Sequence, residues 1–348
     1  MLLGALANKG NPSAQYLLAT MYSKGQGVQP DEQVAVTWIR KSAAQGFSEA
    51  QCSLGERYSL GRGVTRDYAQ ADRWYRKAAK QGFARAQFNI GVIYMQGQGT
   101  VVDGPAAIRW FEKAAAQGFV KAKVNLGQIY NKGIGVPPNE DEAFRWFREA
   151  AEGGHRVAQY NLGIRYSTGK SVPQDDAEAF KWFLKAAEQG HLDAQASVGM
   201  SYERGRGVPA DLAEAVKWNQ QAAERGSPVA QYNLGRMYWF GTGVPKDELN
   251  AVKWYLRAAQ QDDGDAQGVM GSLYALGSGV PRDLVQAYMW FALAESNVEN
   301  EEFRKSVVAS RESLAKTMTQ EQMIEAQKLA SEWKATKEVI DLRPSDST

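Results

Sequence analysis

PVAQYNLGRMYWFGTGVPKDELNAVKW, residues 228–254, is the stretch of sequence that decides the fold. Ala230, Leu234 and Tyr238 follow one another at a spacing of four residues, which predicts one apolar face of a helix. The glycine-rich turn at residues 241–245 ends this helix with a proline that cannot continue it, and Asp247 is the expected N-cap of a second helix. The stretch therefore predicts a helical hairpin.

The hairpin recurs with a step of 36 residues along most of the chain. A hairpin of two short helices cannot bury its apolar faces alone, so the copies must stack. We predict an all-α fold, an α/α superhelical solenoid of about eight 36-residue helix-turn-helix repeats with a C-terminal helical cap. Eight of the ten tryptophans follow the step and are predicted to form the structural repeat core, each costing about 3 to 5 kcal/mol on replacement by alanine. These are Trp38, Trp74, Trp110, Trp146, Trp182, Trp218, Trp254 and Trp290.

Two further series explain how each hairpin is built. A glycine inside a helix costs about 1 kcal/mol relative to alanine, so Gly235 and its equivalents predict a close approach of the second helix with no side chain in the way. The second helices are predicted to begin at Asp31, Asp67, Asp103, Asn139, Asp175, Asp211, Asp247 and Asp283. A glutamate three residues later predicts capping boxes at Asp175 with Glu178 and at Asp211 with Glu214.

The recurring order Ala-Gln-Tyr-Asn-Leu-Gly, then Gly-x-Gly-Val, then Asp, Ala and Trp resembles the Sel1-like repeat family of bacterial type, which is related to tetratricopeptide repeats. The resemblance covers roughly residues 2 to 295. It implies a scaffold or adaptor that binds a protein or peptide on the concave face of the solenoid, which the first helices line. Residues 318–333 also resemble the C-terminal cap of such proteins.

The ends of the chain depart from the period. Residues 1–11 match the second half of a repeat and are predicted to form a half helix of a truncated or capping repeat, followed by eight repeats at 12–297. Residues 298–337 are predicted to form two capping helices, about 300–316 and 320–337, with a capping box of Thr319 and Gln322. Residues 338–348 are predicted to be a flexible tail. The compartment stays open: periplasmic or secreted if a leader was removed, cytoplasmic otherwise.

Composition narrows the class of partner. Hydrophobic residues make up 44% and charged residues 23%, and 41 basic residues balance 39 acidic ones to a net charge of +2. These charges are spread along the chain, which predicts no nucleic-acid partner, and no apolar run is long enough for membrane insertion. Cys52 is the only cysteine, so no disulfide or thiolate cluster can form within the chain.

The residues that most often carry chemistry have structural explanations. His155 and His191 lie 36 residues apart at a helix junction, and the Gly-x-Gly turns lack the strand and lysine of a nucleotide-binding loop. The aspartates are one per repeat, which does not converge on a metal. We predict no enzyme, no catalytic or metal residue and no cofactor. The alternatives are a cell-wall or β-lactam-related enzyme, as attributed to relatives with a cysteine pair in each repeat, and a structural subunit that docks on an N-terminal domain.

The candidate partner site lies in the seventh repeat. Most copies place small or polar residues after the recurring tyrosine, whereas Trp239 and Phe240 follow Tyr238. Exposed aromatic residues beside arginine are typical of interaction hot spots. An equally weighted alternative is that one of the two folds onto the hairpin as extra core. Asn89, Asn125, Asn161 and Asn233 could bind a peptide backbone or tie neighbouring helices together. The candidate partner-binding residues are Trp239, Phe240, Tyr232, Asn233, Arg236, Met200 and Arg204.

Overall fold

A computed structural model describes residues 2–334 of the 348-residue chain. This range contains 19 α-helices and no strand, which confirms the predicted all-α repeat fold. The described residues divide into two compact units, with the boundary between Leu162 and Gly163. The predicted flexible tail at 338–348 lies outside the described residues.

Eighteen of the helices are 12 to 15 residues long and the first has only 7. In chain order they are α1 (Leu2–Asn8), α2 (Pro12–Lys24), α3 (Glu32–Ala44), α4 (Ser48–Leu60), α5 (Tyr68–Lys80), α6 (Ala84–Gln96), α7 (Gly104–Ala115), α8 (Val120–Lys132), α9 (Glu140–Glu152), α10 (Arg156–Thr168), α11 (Asp176–Glu188), α12 (Leu192–Arg204), α13 (Leu212–Glu224), α14 (Pro228–Phe240), α15 (Glu248–Gln260), α16 (Gly264–Leu276), α17 (Leu284–Asn297), α18 (Glu301–Ala315) and α19 (Gln320–Glu332).

Each repeat consists of a first helix, even-numbered from α2 to α16, and a second helix, odd-numbered from α3 to α17. All eight second helices begin at the predicted Asp or Asn. In each, the side chain of this residue accepts hydrogen bonds from backbone amides of the first turn. These bonds satisfy donors that otherwise have no partner, and each cap stabilises its helix by about 1 kcal/mol.

The predicted capping boxes at Asp175 and Asp211 are wrong in their second half. Asp175 does accept from the amide of Glu178, but the Glu178 carboxylate turns the other way and accepts from Lys181 Nζ at 2.8 Å and Trp182 Nε1 at 3.1 Å. Glu214 pairs in the same way with Lys217. Within residues 2–334 the reciprocal box is complete at Thr319 and Gln322, as predicted.

The glycine inside seven of the eight first helices does permit a close approach, but a side chain of the second helix fills the space. A Cβ on Gly91 would lie 2.6 Å from the ring of Phe111, the residue directly after the repeat tryptophan of the second helix. The first repeat supports this explanation, because Ala19 replaces the glycine where Ile39 replaces the ring, and both are buried. The equivalent pairs are Gly55 with Tyr75, Gly127 with Phe147, Gly163 with Phe183, Gly199 with Asn219, Gly235 with Tyr255 and Gly271 with Phe291.

The tryptophans themselves are less buried than predicted. Trp146, Trp182 and Trp290 are buried, whereas the other five members of the series are half-buried. A basic side chain covers the outer ring face in most copies, such as Lys77 Nζ at 3.9 Å from the Trp74 ring centroid. The estimate of about 3 to 5 kcal/mol therefore applies to the residue that follows the tryptophan in most repeats, rather than to the indole.

A buried glutamine joins consecutive repeats. Gln51 Nε2 donates to the carbonyl of Ala43, and its Oε1 accepts from Gln81 Nε2 of the next second helix at 2.8 Å. Gln15 makes the same bond to Ala7 in α1, so α1 occupies the place of a second helix. Gln231 and Gln267 repeat the pattern. These bonds satisfy polar groups that would otherwise be buried without partners.

The last two helices cover the end of the eighth repeat. The Trp333 ring packs edge-on against Trp290, with 4.9 Å between ring centroids, and its Nε1 donates to Asp262 at 3.1 Å. Asp262 adopts a left-handed backbone with φ of 65° at a position where other repeats have glycine. Its carboxylate is thus available to hold the C-terminal helix in place.

Candidate functional site

We call the exposed faces of the first helices and of their hairpin turns the first-helix surface. Three of the cavities on it, all lined by described residues, recur at one position of the repeat. The cavities occupy the same position in the repeat, between neighbouring helices of the even-numbered series, over the residue that follows the repeat tryptophan. The α2/α4 cavity has a volume of about 190 Å³ and lies over Ile39. The α10/α12 cavity of about 160 Å³ lies over Phe183, and the α16/α18 cavity of about 570 Å³ lies over Phe291.

The α2/α4 cavity is lined mainly by polar and charged groups. Lys24, Arg57, Arg62 and Arg85 all line it, together with the carboxylate of Glu56. Arg57 is 8% exposed, although Ile93, Ile129, Met237 and Leu273 occupy its position in other repeats.

Arg57 is held by two neighbours at the edge of this cavity. Its guanidinium donates to the carboxylate of Glu32 and to Ser23 Oγ, while Nε is buried with no hydrogen-bond partner among the described residues. Partial burial would raise the pKa of Glu32, but the hydrogen bond and charge of Arg57, with a smaller effect of Arg62, hold it below its ordinary value. Glu32 therefore stays ionised at neutral pH.

The α10/α12 cavity has a different chemistry at the same positions. Ser201 replaces the bulky residue of other repeats, and Met200 and Ile164 supply apolar walls. Arg206 and Asp176 also line it. The cavity therefore results from a small side chain where a large one would fill the space.

The α16/α18 cavity combines an apolar floor with hydroxyl groups. Leu276, Phe291 and Leu314 contribute apolar surface, and α18 occupies the place that the first helix of a ninth repeat would take. Leu276 is 75% exposed and Phe240, its equivalent in the preceding repeat, is 67% exposed. Two consecutive repeats thus end their first helices with large exposed apolar side chains.

Of the seven predicted partner-binding residues, some are accessible to a partner and others make contacts inside the fold. Phe240 and Arg204 are exposed, and Met200 lines the α10/α12 cavity. Trp239 is half-buried against the apolar cluster that contains Tyr255, so the alternative of extra core applies to Trp239 and exposure applies to Phe240.

The other three predicted residues make contacts inside the fold. Tyr232 packs on Tyr255 with 5.7 Å between ring centroids, and Arg236 pairs with Glu203 of the preceding first helix. Asn233 is buried and donates to Asn219 Oδ1 at 3.2 Å, while Asn89 donates to Glu56 Oε1. These two asparagines tie helices together, which is the second of their two predicted roles.

Sequence reasoning missed Arg57, Arg62 and Leu276, because only the repeat register reveals that they depart from most copies. The matching exceptions are Arg165, Arg206 and Leu60. It also missed how unevenly charge is divided. Residues 1–162 carry 20 basic and 13 acidic residues, a formal charge of +7, and residues 163–348 carry 21 basic and 26 acidic residues, a charge of −5. Charges of both signs are spread along the chain, but the two units carry opposite net charges.

Two features bear on the other classes of function. The Nδ1 atom of His191 accepts from the amide of Ala194 at 3.3 Å, so this histidine caps α12, as its helix-junction position predicted. Among residues 2–334 no group of three or more His, Cys, Asp or Glu side chains is placed to hold a metal ion.

None of the described helices has the length and apolar character needed to span a bilayer.

Cys52 is buried in the α4 helix and should be chemically inert. Burial, reinforced by the negative charge of Glu56, raises the pKa of its thiol well above the ordinary value. We expect iodoacetamide to leave Cys52 unmodified in the native chain at about pH 8 and to alkylate it after denaturation. Mass spectrometry of the two samples checks this, and equal labelling in both would contradict the burial of the thiol.

Comparison with known proteins agrees with this architecture. The sequence model of the Sel1 repeat matches eight consecutive segments, residues 12–47, 48–83, 84–119, 120–155, 156–191, 192–227, 228–263 and 264–297. A search of curated proteins gave no significant match.

Two solved structures extend the comparison over most of the chain. A Sel1 repeat protein from Oxalobacter formigenes is 33% identical, with 88% of this chain and 89% of that chain covered and a TM-score of 0.65. The protein c5321, described as a protective antigen of uropathogenic Escherichia coli strains, is 30% identical over 95% of this chain and 85% of its own, with a TM-score of 0.49. Repeats of this type generally mediate protein–protein interaction and are typically non-enzymatic. The chain belongs to the Sel1 repeat family.

Proposed function

We propose that the chain is a scaffold or adaptor that binds a protein or peptide through its first-helix surface. The observation that carries the proposal is the pair Phe240 and Leu276, exposed at the same position of consecutive repeats. Five of the other six copies place Lys24, Gln96, Lys132, Thr168 or Arg204 there, and Leu60 is the remaining exception. Large exposed apolar side chains at a recurring position of the surface are typical of a protein-binding surface.

The α16/α18 cavity supports this assignment. It begins at Leu276 and continues between α16 and α18 for a volume of about 570 Å³, with hydroxyl groups of Ser306 and Ser310 along its lining. An apolar floor with a few polar groups suits an apolar side chain of a partner whose backbone bonds to the rim.

Replacing both exposed residues with serine, Phe240→Ser with Leu276→Ser, should reduce partner capture by about tenfold, the effect of losing a hot-spot pair. Neither side chain is buried, so the thermal midpoint should stay within a degree or two of the original protein. Quantitative affinity capture followed by mass spectrometry measures the loss.

The matched control is Leu249→Ser on α15. Leu249 is 66% exposed, close to Phe240, but it belongs to a second helix. We expect it to leave capture unchanged. Retention of every captured protein by the double variant, or an equal loss in the control, would refute the assignment of this surface.

A further inference from the structure

The α2/α4 cavity is lined by more charged side chains than the α10/α12 and α16/α18 cavities. Four cations line it, and two of them are balanced by carboxylates: Arg57 by Glu32, and Arg85 by Glu56 at 2.7 Å. Lys24 and Arg62 form no salt bridge within the described part of the chain. The cavity therefore has an excess of two positive charges in a partly enclosed space, where charge interactions are stronger than in open water.

Packing alone does not account for Arg57. An apolar residue fills its position in five of the eight repeats, and a buried guanidinium with an unpaired Nε costs free energy that an isoleucine would not. Its two other nitrogens are fixed by Glu32 and Ser23, so the head group is held in place before any ligand arrives. A guanidinium held in place loses little side-chain freedom when an anion binds beside it.

The surroundings favour an anionic partner over a neutral one. Residues 1–162 carry a formal charge of +7, which attracts acidic molecules and accelerates their encounter. The cavity of about 190 Å³ holds one side chain rather than a folded element, and Thr20, Ser23 and Ser53 add hydroxyl groups to its lining.

We infer that the α2/α4 cavity binds a carboxylate side chain of an acidic peptide segment, with Lys24, Arg62 and the fixed guanidinium of Arg57 attracting it. This inference rests on the proposed function, because it assigns a chemical class to one part of the partner. It concerns a different surface region from Phe240 and Leu276, so the two assignments can fail separately.

The test uses the full chain and a fluorescein-labelled peptide rich in glutamate, measured by fluorescence anisotropy at low and high ionic strength. Lys24→Gln with Arg62→Gln should weaken binding of this peptide by about tenfold. The matched control, Arg73→Gln with Lys80→Gln, removes the same charge from exposed positions on α5 outside the cavity, and it should change affinity by less than about twofold.

A second variant tests the buried arginine. Arg57→Met introduces the residue that Met237 places in the same register, so the helix packing has a precedent within the chain. We expect it to retain cooperative thermal unfolding while its affinity for the acidic peptide falls by about tenfold.

The other outcomes each overturn the inference. Equal weakening by both double variants would mean that only the overall charge of the chain matters. Equal binding of a peptide with glutamine in place of glutamate would mean that the site does not recognise the carboxylate. Stronger binding of a single-stranded DNA oligonucleotide would assign the site to a nucleic acid, and competition by free glutamate at similar concentration would assign it to a small molecule. The acidic peptide could fail to bind while the variant of Phe240 and Leu276 still loses its captured partner. That result would refute this site and leave the proposed function standing.

Discussion

Phe111→Ala is expected to lower the free energy of unfolding by about 3 to 5 kcal/mol, more than the loss of the tryptophan beside it. Phe111 is 0% exposed, and its ring lies directly on Gly91 of the preceding helix. Because Gly91 has no side chain, it contributes nothing to filling the cavity that alanine would leave. Urea denaturation followed by far-ultraviolet circular dichroism measures the change.

Trp110→Ala is the matched comparison. Trp110 is one residue away in the same helix, but it is half-buried, and Lys113 covers its ring at 4.4 Å. Its loss should cost about 2 kcal/mol, because part of the indole surface already contacts water. A larger loss for Trp110 than for Phe111 would restore the tryptophans as the main source of stability and contradict the packing described above.

The step of 36 residues and the helix caps could be read from the sequence because both depend on local chemistry. Asp31 and its equivalents cap helices through bonds within three residues of themselves, so tertiary packing has little influence on them. The hydrogen-bond partner of the Glu178 side chain could not be predicted in this way. Its carboxylate could accept a hydrogen bond either from the N-cap backbone amide or from the indole of Trp182. Which of the two bonds forms depends on the three-dimensional structure.

Burial depends on how the repeats stack, and for this reason the sequence predicted too large a contribution of the tryptophans to stability. Their regular recurrence indicates a structural role, but a period alone does not show which of two adjacent residues points inward. The position after the tryptophan varies between Ile39, Tyr75 and Asn219, so it attracts less notice in the sequence although it is buried in all eight repeats. The aromatic ring and the helix glycine vary together at Ile39 and Ala19, which was the available signal.

The candidate site was predictable only in part for a related reason. Phe240 stands out because it is a large aromatic residue at a polar position. Leu276 and Arg57 are ordinary residues that become informative only when their exposure is known, since one is exposed and apolar and the other is buried and charged. Residue type predicts neither condition, because apolar surface and paired arginines are both common in folded proteins.

The two glycines of a hairpin turn should differ in the cost of replacement. Gly207→Ala is expected to destabilise the chain by about 3 kcal/mol or more, because a Cβ there would overlap the backbone carbonyl of Asp176 in the preceding repeat. Its φ of 70° adds the strain of a left-handed backbone, about 1 to 2 kcal/mol. Thermal and urea denaturation measure the loss, and hydrogen exchange should show increased opening of α11 and α12.

Gly205→Ala, two residues earlier in the same turn, separates strain from packing. Gly205 has a φ of 64°, but a Cβ there would come no nearer than 3.5 Å to any neighbour, an ordinary contact with Ala210. It should therefore cost only the backbone term of about 1 to 2 kcal/mol. Gly205 ends a helix, whereas Gly207 also lets one repeat lie against the next. Equal costs for the two variants would mean that the second glycine serves the turn alone and that the close approach to Asp176 contributes nothing to stacking.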